Sequence, residues 1–380
     1  CALQHCRGRV LAKPVTAKLS LPPFRASAMD GYAIQAGKHD QLLTVIGESL
    51  AGHPFQGDIG PEECVRIFTG ALVPANAGQI ILQEEVAERE GNQVRFNAHT
   101  PSESYIRPIG NDLKLGSQIA DQGDVLNPFL MGSLASAGVS SVEVFRRPVI
   151  GVFSSGDELR DPGVEVKDLL EGQIYDSNRL TVMQLLATMP VEVRDLGRLA
   201  DEADIVSEAL TNGAQVCDAM ITSGGVSVGD ADYISETIEK LGTLAFWRLN
   251  LKPGKPMAFG KIENCWIFGL PGNPVSTIVT ALLLVRPALA ILAGTVSEPP
   301  LRIKAKLTTS LQHQPGRTEY QRGIFTQLSG EFMVGHTGDQ GSNRLSTFHN
   351  ANCLIEVDKT VGDLQSGDWV NIVPLTSLIN

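Results

Sequence analysis

Strands alternating with helices between Val149 and Gly294 constrain the fold more than any other feature of this 380-residue sequence. Apolar runs short enough for buried strands are separated by segments with the apolar period of helices. Such alternation is typical of βαβ units. We therefore predict a central three-layer α/β domain in which helices cover both faces of a parallel sheet. The predicted strands are VIGVFSS, VEVRDLG, AMITSGG, TLAFWRLNL and NCWIFGL, and the predicted helices are Ser177–Met189 (capped by Ser177 or Asp176), Asp201–Gly213, Asp230–Leu241 and Pro274–Gly294.

Short β-runs separated by Gly, Pro and Asn flank this domain on both sides. Those between Leu42 and Asn97 predict a small β-rich domain inserted into its neighbour, and those after Pro300 predict a C-terminal β-barrel or sandwich. A helix is also predicted at Pro128–Ala137. The length implies two to four domains, so we expect a multidomain α/β protein. The expected domains are a linking domain of residues 1–22 and 111–147, the inserted domain 23–110, the central domain 148–298 and the C-terminal domain 299–380.

Composition excludes several classes of protein. The net charge of −11 argues against a nucleic-acid-binding surface, which is usually basic. The six cysteines form no CxxC pair and the seven histidines are scattered, so we expect reduced, packed thiols in a cytoplasmic protein rather than disulfides or a zinc site.

The most apolar segment, Val275–Gly294, contains Arg286 and Pro287. Because a membrane span needs about 18 or more nearly uninterrupted apolar residues, we interpret this segment as a buried helix. No signal peptide is recognised. The chain begins with Cys1 rather than Met, so we expect part of the native N-terminus to be missing.

The stretch Cys217–Tyr233, CDAMITSGGVSVGDADY, carries the strongest indication of chemistry. An apolar strand breaks at Ser223, Gly224 and Gly225, and a helical pattern follows. A glycine-rich turn between a strand and a helix exposes backbone N–H groups that suit an anion. The acids Asp230 and Asp232 would repel a bare phosphate, which indicates a hard metal ion between them. The stretch therefore predicts a site for a metal-bound phosphate ester or anhydride.

Two further loops leave strands of the same predicted sheet: SSGDEL at Ser154–Leu159 and GLPGNPVS at Gly269–Ser276. If the strands are parallel, all three loops open onto one crevice at their carboxyl ends. No GK[ST] follows any of them, so a Walker A loop is excluded. Each loop also has a structural interpretation, in which Asp157 and Glu158 cap a helix or face solvent and the later acids complement a helix dipole. Three such loops in one sheet favour a site.

The segment Leu249–Gly260 places Lys252 and Lys255 around a Pro-Gly turn, with Arg248 just upstream. Lysines on a rigid turn beside acidic loops suit a phosphate or an oxyanion such as molybdate. The alternative is a solvated hairpin. A serine hydrolase is disfavoured although Ser227 stands in GVSVG, because two glycines already make the turn before this serine.

Three residues in the N-terminal half occupy turns. Asp30 lies in LPPFRASAMDGYAI, Thr69 ends a predicted strand, and Asp112 follows a Gly-Asn turn. Each can bind a ligand or only shape its own turn.

Seven segments in this order resemble the MoeA family of molybdopterin molybdenumtransferases, to which the E domain of gephyrin is related. They are SAMDGYAI, RIFTGA, SSGDEL, GQIYDSNR, TSGGVSVGDADY, LKPGKPMAFG and GLPGNPVS, and they extend over almost the whole chain. Loops like SGGVSxGxxD and PGNP also occur in molybdopterin adenylyltransferases and CinA-like proteins. The departures are Ser155 where threonine is common, Asp230 where glutamate is frequent, Arg248 where some members have lysine, and a loosely matching GDQGSNRLSTF near the C-terminus.

The resemblance implies that molybdate is inserted into adenylylated molybdopterin with Mg²⁺-dependent release of AMP, and the sequence leaves a preference for molybdate over tungstate open. It also implies a C-terminal β-barrel, a dimerisation role for the linking domain, an elongated homodimer whose cleft is completed by the partner's early segments, and transient contacts with molybdopterin adenylyltransferase and molybdoenzymes. The implied catalytic acids are Asp30, Asp112, Glu158, Asp201 and Asp232. The expected Mg²⁺ ligands are Asp157, Glu158 and Asp232, and the expected substrate-binding residues are Thr69, Ser223, Gly224, Gly225, Ser227, Gly229, Arg248, Lys252, Lys255, Pro271, Gly272, Asn273, Pro274 and Ser342.

Two other functions remain open from the residues. A non-catalytic carrier or scaffold for adenylyl-molybdopterin would need the glycine turn but not the carboxylates, so the acids favour an enzyme. A molybdopterin adenylyltransferase would consist essentially of the central domain, whereas this chain has long β-rich flanks.

Overall fold

The computed structural model describes residues 1–38, 41–97, 104–226, 233–296 and 299–379. The chain forms two compact units. The first comprises Cys1–Arg7 and Leu11–Val144, and the second comprises Gly8–Val10 and Phe145–Asn380. The finer four-domain boundaries stay a prediction.

The first unit is β-rich, as predicted for its central part. A six-stranded sheet has the order β6-β3-β5-β4-β8-β7, and two short pairs, β1 with β10 and β2 with β9, lie outside it. All four residues of β3 are buried, because this strand lies between β6 and β5 with apolar clusters on both faces. The strands are β1 Val15–Thr16, β2 Ala26–Ser27, β3 Gly31–Ile34, β4 Leu43–Ser49, β5 Glu63–Ile67, β6 Gln79–Leu82, β7 Val86–Glu90, β8 Gln93–Phe96, β9 Ile106–Arg107 and β10 Gln118–Ala120.

One α-helix, α1 at Pro128–Ser136, closes the first unit and confirms the helix predicted there. It begins at Pro128 because a proline needs no N–H at this position. The Asn127 side chain caps it by accepting a hydrogen bond from the N–H of Leu130 at 2.9 Å. The buried side of the helix packs through Leu134 onto Leu11 and Leu126.

The second unit contains the predicted α/β sheet, with strand order β14-β11-β15-β19-β18-β16. The first four strands are parallel, and β18 and β16 are antiparallel to their neighbours. Only two residues separate β18 from β19, too few for the crossover that a parallel pair requires. The strands are β11 Val149–Ser155, β12 Leu159–Arg160, β13 Ile174–Tyr175, β14 Glu192–Leu199, β15 Ala219–Ser223, β16 Thr243–Arg248, β17 Leu251–Lys252, β18 Pro256–Ile262 and β19 Cys265–Leu270.

Helices cover both faces of this sheet, which confirms the three layers. On one face α2 and the long helix α5–α6 pack on a cluster that includes Ile150 and Ile221. On the other face α3 and α4 pack on a cluster that includes Phe153 and Met220. The helices are α2 Asn178–Leu186, α3 Ala203–Ala214, α4 Tyr233–Leu241, α5 Pro274–Thr280 and α6 Arg286–Leu292, the last two joined by a π-helical turn at Ala281–Val285.

The segment Pro274–Leu292 is long and apolar enough to cross a membrane by length and composition. Most of it is buried in the second unit, and even Arg286 is only 8% exposed. The Arg286 guanidinium donates to the backbone oxygens of Leu185 and Ile379. This burial confirms the predicted core helix.

The C-terminal part of the second unit is a closed barrel rather than a sandwich. Five strands pair in the order β21-β22-β20-β24-β23, and pairing of β21 with β23 closes the ring. The short strand β17 adds to the barrel by pairing in parallel with β21. The elements are β20 Ile303–Leu307, β21 Thr318–Leu328, β22 Glu331–His336, β23 Cys353–Val357, β24 Trp369–Pro374 and the terminal helix α7 Thr376–Ile379.

Candidate functional site

The carboxyl ends of β11, β15 and β19 lie side by side. In the strand register Ser154 is opposite Ser223, and Ser223 is opposite Leu270. The N–H of Gly224 donates to the backbone oxygen of Leu270 at 3.2 Å, so the first residue of one loop is tied to the end of the next strand. The prediction that the three loops leave one edge of a parallel sheet is confirmed for these three strands.

The turn after β15 requires glycine for two reasons. Gly224 and Gly225 have φ angles of 96° and 70°, which side-chain-bearing residues rarely adopt. A Cβ atom on Gly224 would lie 2.4 Å from the backbone oxygen of Ser155, and one on Gly225 would lie 2.8 Å from the Ser155 hydroxyl. A Cβ atom on Gly272 would lie 3.9 Å from the Cα of Gly224, an ordinary contact distance. The loops therefore approach one another through their backbones.

Residues at the start of α2 tie the three strand ends together. Asp176, which is 1% exposed, accepts hydrogen bonds from the Ser154 hydroxyl at 2.6 Å and from the N–H of Arg179 at 3.1 Å. The latter bond shows that Asp176, rather than Ser177, caps the helix. The Asn178 side-chain amide donates to the Ser223 hydroxyl at 2.8 Å and to the backbone oxygen of Gly272 at 2.7 Å.

Three carboxylates lie together beside this edge. Asp157 and Glu158 are exposed, whereas Asp201 is half-buried and its N–H donates to Oδ1 of Asp157 at 3.4 Å. Burial raises the pKa of Asp201, and the charges of Asp157 and Glu158 raise it further, while the nearby Ser155 hydroxyl offsets part of the rise. Oδ1 of Asp201 and Oγ of Ser155 are buried without a hydrogen bond of good geometry, although the two groups are close enough to interact.

Asp157, Glu158 and Asp201 alone do not form a complete set of metal ligands. Within the ranges that the structure describes, no three His, Cys, Asp or Glu side chains converge as metal ligands. Asp232, predicted as a ligand, lies outside the described residues, as do Ser227 and Gly229. The oxygen-only donor set and the unpartnered oxygen of Asp201 fit a hard cation such as Mg²⁺.

A cleft of about 810 Å³ opens beside the Pro-Gly turn of the second unit. Lys252 lines it and pairs with Glu319, with Nζ 3.0 Å from Oε2. Predicted substrate-binding residues and residues of the barrel meet there. They are Lys252, Lys255, Asn273 and Ser342 from the prediction, and Arg317, Glu319, Gln321, His336 and Gln340 in addition.

The PGNP loop is built as a rigid wall of this cleft. Pro274 is the first residue of α5, and the Asn273 side chain makes no capping bond there, so it is available to the cleft. The Thr277 hydroxyl donates to the backbone oxygen of Pro271 at 2.5 Å. The N–H of Val275 donates to the backbone oxygen of Ser342 at 3.0 Å, which joins the loop to the barrel.

A buried arginine shapes the barrel's side of the cleft. Arg322 is 1% exposed, and its guanidinium donates to the backbone oxygens of Asp339, Gln340 and Gly341 at 3.0 to 3.2 Å. It also donates to the Thr347 hydroxyl at 3.0 Å. These bonds hold the loop that carries Ser342 on the cleft wall.

In the first unit, two predicted residues form a pair. Oδ1 of Asp30 accepts hydrogen bonds from the N–H and the hydroxyl of Thr69, both at 2.7 Å. These bonds, with a smaller contribution from Arg66, lower the pKa of Asp30, so its carboxylate stays ionised. Asp112 is exposed, and its backbone N–H donates to the backbone oxygen of Leu21.

Three family descriptions match the chain and together cover most of it. They are "MoeA N-terminal region (domain I and II)" at residues 1–138, "Probable molybdopterin binding domain" at 151–291 and "MoeA C-terminal region (domain IV)" at 304–375. A molybdopterin molybdenumtransferase from Haemophilus influenzae is 40% identical over 99% of this chain and 94% of its own. The chain belongs to the MoeA family.

Other MoeA-related proteins also match almost the whole chain. A Dictyostelium discoideum gephyrin is 31% identical, and its match covers 98% of this chain but only 59% of that longer protein. A crystal structure of a molybdopterin biosynthesis MoeA protein from Pyrococcus horikoshii OT3 is similar at a TM-score of 0.82 with 28% identity, over 98% of this chain and 93% of that one. The fold of this MoeA-family chain is therefore the one predicted: an α/β domain, β-rich parts and a C-terminal barrel.

The structure assigns the predicted residues of this MoeA-family chain to separate places. Ser223, Gly224, Gly225 and Gly272 meet at the sheet edge, with Glu158, Asp157 and Asp201 beside them, and four others line the cleft. Arg248 is not among the residues that line the cleft, and its guanidinium lies 3.7 Å from the centre of the Trp247 ring. The part predicted for Arg248 in the site therefore has no support from the cleft geometry.

Sequence reasoning missed two groups of residues in the second unit. Asp176 was predicted only as a possible helix cap, and Asn178 of the matching segment GQIYDSNR was given no role. The signal was an acid and an amide at the start of a helix beneath the predicted crevice. Arg317 and Arg322 were also missed, although an arginine inside the β-run EYQRGIF indicates a buried, paired cation.

Proposed function

We propose that this chain is the molybdopterin molybdenumtransferase of molybdenum cofactor biosynthesis. It inserts molybdate into adenylylated molybdopterin and releases AMP in a Mg²⁺-dependent reaction. The register of Ser154, Ser223 and Leu270 is the observation that supports the proposal, because it brings the glycine turn, the proline loop and the acids after β11 to the same end of the sheet.

The sheet edge binds the phosphates of the adenylate. In the turn after β15 the proposed donor is the N–H of Gly225, because that of Gly224 is bonded to Leu270. The start of the helix at Pro274 adds the positive end of the helix dipole. Asp157, Glu158 and Asp232 hold Mg²⁺, and Asp201 lies close enough to Asp157 and Glu158 for their charges to raise its pKa. When bound, Mg²⁺ offsets negative charge on the phosphates and on the departing AMP.

The cleft beside Lys252 and Lys255 receives the oxyanion substrate. Two lysines, with Arg317 lining the same cleft, attract molybdate or the pterin phosphate. Glu319 partly neutralises Lys252 in the free protein. The dithiolene of the substrate supplies sulfur ligands to molybdenum, so no protein cysteine is needed. Five of the six cysteines are buried.

Residues of the first unit complete the proposal by family resemblance. The proposal keeps the roles that the resemblance implies for Asp30, Thr69 and Asp112, and the hydrogen bonds that Asp30 accepts from Thr69 keep that carboxylate charged. A homodimer, a cytoplasmic location and transient contacts with molybdopterin adenylyltransferase and molybdoenzymes belong to the same proposal.

Single-turnover AMP release tests the function. Purified protein is mixed with adenylylated molybdopterin, molybdate and Mg²⁺, and AMP is followed with time. We expect Asp232→Ala to abolish Mg²⁺-dependent release and Glu158→Gln to slow it by about 10²–10³-fold, the size of effect seen when one charge-stabilising group is removed. Glu171→Gln, an exposed acid on the surface, is the control.

The same mixture separates the alternatives. A carrier or scaffold would bind the adenylate without releasing AMP, and an adenylyltransferase would consume ATP. AMP release that is unchanged in Asp232→Ala would refute the role assigned to this acid. Release that is absent in the wild-type protein would refute the enzyme.

A further inference from the structure

The Asn178 side chain contacts the end of one strand of the sheet and the loop that follows the neighbouring strand. The family resemblance assigns this residue no role. Its amide nitrogen is 2.8 Å from the Ser223 hydroxyl and 2.7 Å from the backbone oxygen of Gly272. These partners are 45 and 94 residues away in the sequence. One side chain thus joins α2 to the ends of two neighbouring strands.

Chemistry settles the orientation of this amide. The backbone oxygen of Gly272 can only accept a hydrogen bond, so the atom facing it must be the NH₂ group rather than the amide oxygen. That group has two hydrogens, and the second one points to Ser223. The Ser223 oxygen therefore accepts in this bond.

This bond determines where the Ser223 proton can go. Because the oxygen accepts from Asn178, the hydroxyl must donate elsewhere, and among the described residues it has no acceptor. Ser223 is 3% exposed and stands directly before the glycine turn. A buried hydroxyl with an unused donor directly before a glycine turn suits an anionic oxygen.

The bond to Gly272 has a second effect. It holds the proline loop beside Gly224, whose Cα lies at an ordinary contact distance from the Cβ position of Gly272. The neighbouring Asp176 accepts from Ser154 at the end of β11, so the segment at the start of α2 links all three strand ends. The relative placement of the loops depends on this segment.

We propose that Asn178 is a positioning residue that orients the Ser223 hydroxyl as a donor to the phosphate of the bound nucleotide and holds the loop at Gly272 in place. The proposal rests on the proposed function, because that function supplies the nucleotide. Asn178 itself does not touch the reacting atoms.

Calorimetric titration with AMP in the presence of Mg²⁺ tests the proposal. Asn178→Asp keeps the size of the side chain but replaces both donors by acceptors, so the Ser223 hydroxyl would turn toward the new carboxylate and away from the ligand. We expect the Kd for AMP to rise about tenfold or more, and Ser223→Ala to raise it by a similar factor. The double variant should be little weaker than Asn178→Asp alone, because that variant has already lost the donor from Ser223.

Asn352→Asp is the matched control. The Asn352 amide also donates to a backbone oxygen, that of Phe325 at 2.9 Å, but it lies in the barrel and has no part in the proposed site. It should lower the thermal midpoint without changing the Kd for AMP. Asn178→Ala removes the amide without adding charge and provides a second measurement if Asn178→Asp does not fold.

The outcomes are distinct. Wild-type affinity for AMP in both Asn178 variants, or strictly additive losses in the double variant, would overturn the positioning role and leave the proposed function standing. A wild-type protein that does not bind AMP would overturn the nucleotide site and the positioning role together. If Asn352→Asp raised the Kd for AMP as much as Asn178→Asp does, the effect would come from lost stability alone, and this would also overturn the proposal.

Discussion

Asp201 is a residue of the proposed site whose ionised form lowers the stability of the folded protein. Its carboxyl is half-buried beside Asp157 and Glu158, and burial together with these charges raises its pKa above the ordinary value of 3.8. The folded protein therefore holds this proton more tightly than the unfolded chain does. The stability contributed by the protonated form is complete below pH 3.8 and is lost as the pH rises through the raised pKa.

Replacing this acid should stabilise the metal-free protein. At pH 7 we expect Asp201→Asn to have a higher thermal midpoint than the wild type, with a difference that shrinks as the pH is lowered toward 4. Added Mg²⁺ should raise the midpoint of the wild type more than that of the variant. Scanning calorimetry with and without Mg²⁺ measures both effects, and the exposed Asp168→Asn is the control. A variant that is less stable than the wild type at pH 7 would contradict burial and like charge as the cause of the raised pKa.

At the scale of elements, the turn after β15 depends on two separate properties of glycine. Gly224 needs a positive φ, and it also needs the absence of a Cβ, because the backbone oxygen of Ser155 occupies that place. Gly172 needs only the first, since its φ is 85° and nothing lies within 4 Å of the position of its Cβ. The two glycines can therefore separate backbone strain from steric exclusion.

We expect Gly172→Ala to cost roughly 1–2 kcal/mol, the cost of a left-handed conformation for a residue with a Cβ. Gly224→Ala should cost a further ~1–3 kcal/mol, because a backbone group must move to relieve the overlap. It should also weaken AMP binding, which Gly172→Ala should leave unchanged. Urea unfolding and AMP titration of both variants provide the test. Equal losses of stability in the two variants would show that the contact with Ser155 does not matter.

At the scale of the whole second unit, the α/β sheet and the barrel are joined by backbone pairing. Strand β17 pairs with β21, so that Leu251 lies opposite Thr318. Lys252 adds an ion pair to Glu319, and the start of α5 is bonded to Ser342. Separating the two parts would break a strand pair as well as these polar contacts. We therefore expect them to unfold together.

Three tryptophans make this expectation measurable. Trp247 and Trp266 belong to the α/β sheet, and Trp369 belongs to the barrel. One variant retains only Trp369 and reports on the barrel, and Trp369→Phe retains the two sheet tryptophans. The urea midpoints of the two fluorescence transitions should coincide, as they do for different probes of one cooperative transition. Circular dichroism on each variant controls for changes in stability caused by the substitutions. Two separate midpoints would show that the barrel unfolds on its own.

Local patterns in the sequence predicted most elements of the second unit. The run VIGVFSS became β11 with the expected bounds, and the helix predicted at Ser177–Met189 was found at Asn178–Leu186. Apolar periodicity and glycine placement are properties of neighbouring residues, so the sequence shows them directly. The glycine turn and the acids beside it were therefore recognisable before the structure.

What the sequence by itself determined about this protein is the order and type of most strands and helices of its second unit (β18 was not predicted), the position of the glycine turn, and its family. Only the tertiary structure decided the antiparallel direction of β18, the closure of the barrel through β21 and β23, the burial of Asp201, and the bridge from Asn178 to Ser223 and Gly272. The physical reason is the distance along the chain between the residues that interact. These features depend on the register and packing of segments that are far apart in the chain, and no local pattern specifies which distant backbone a side chain will meet.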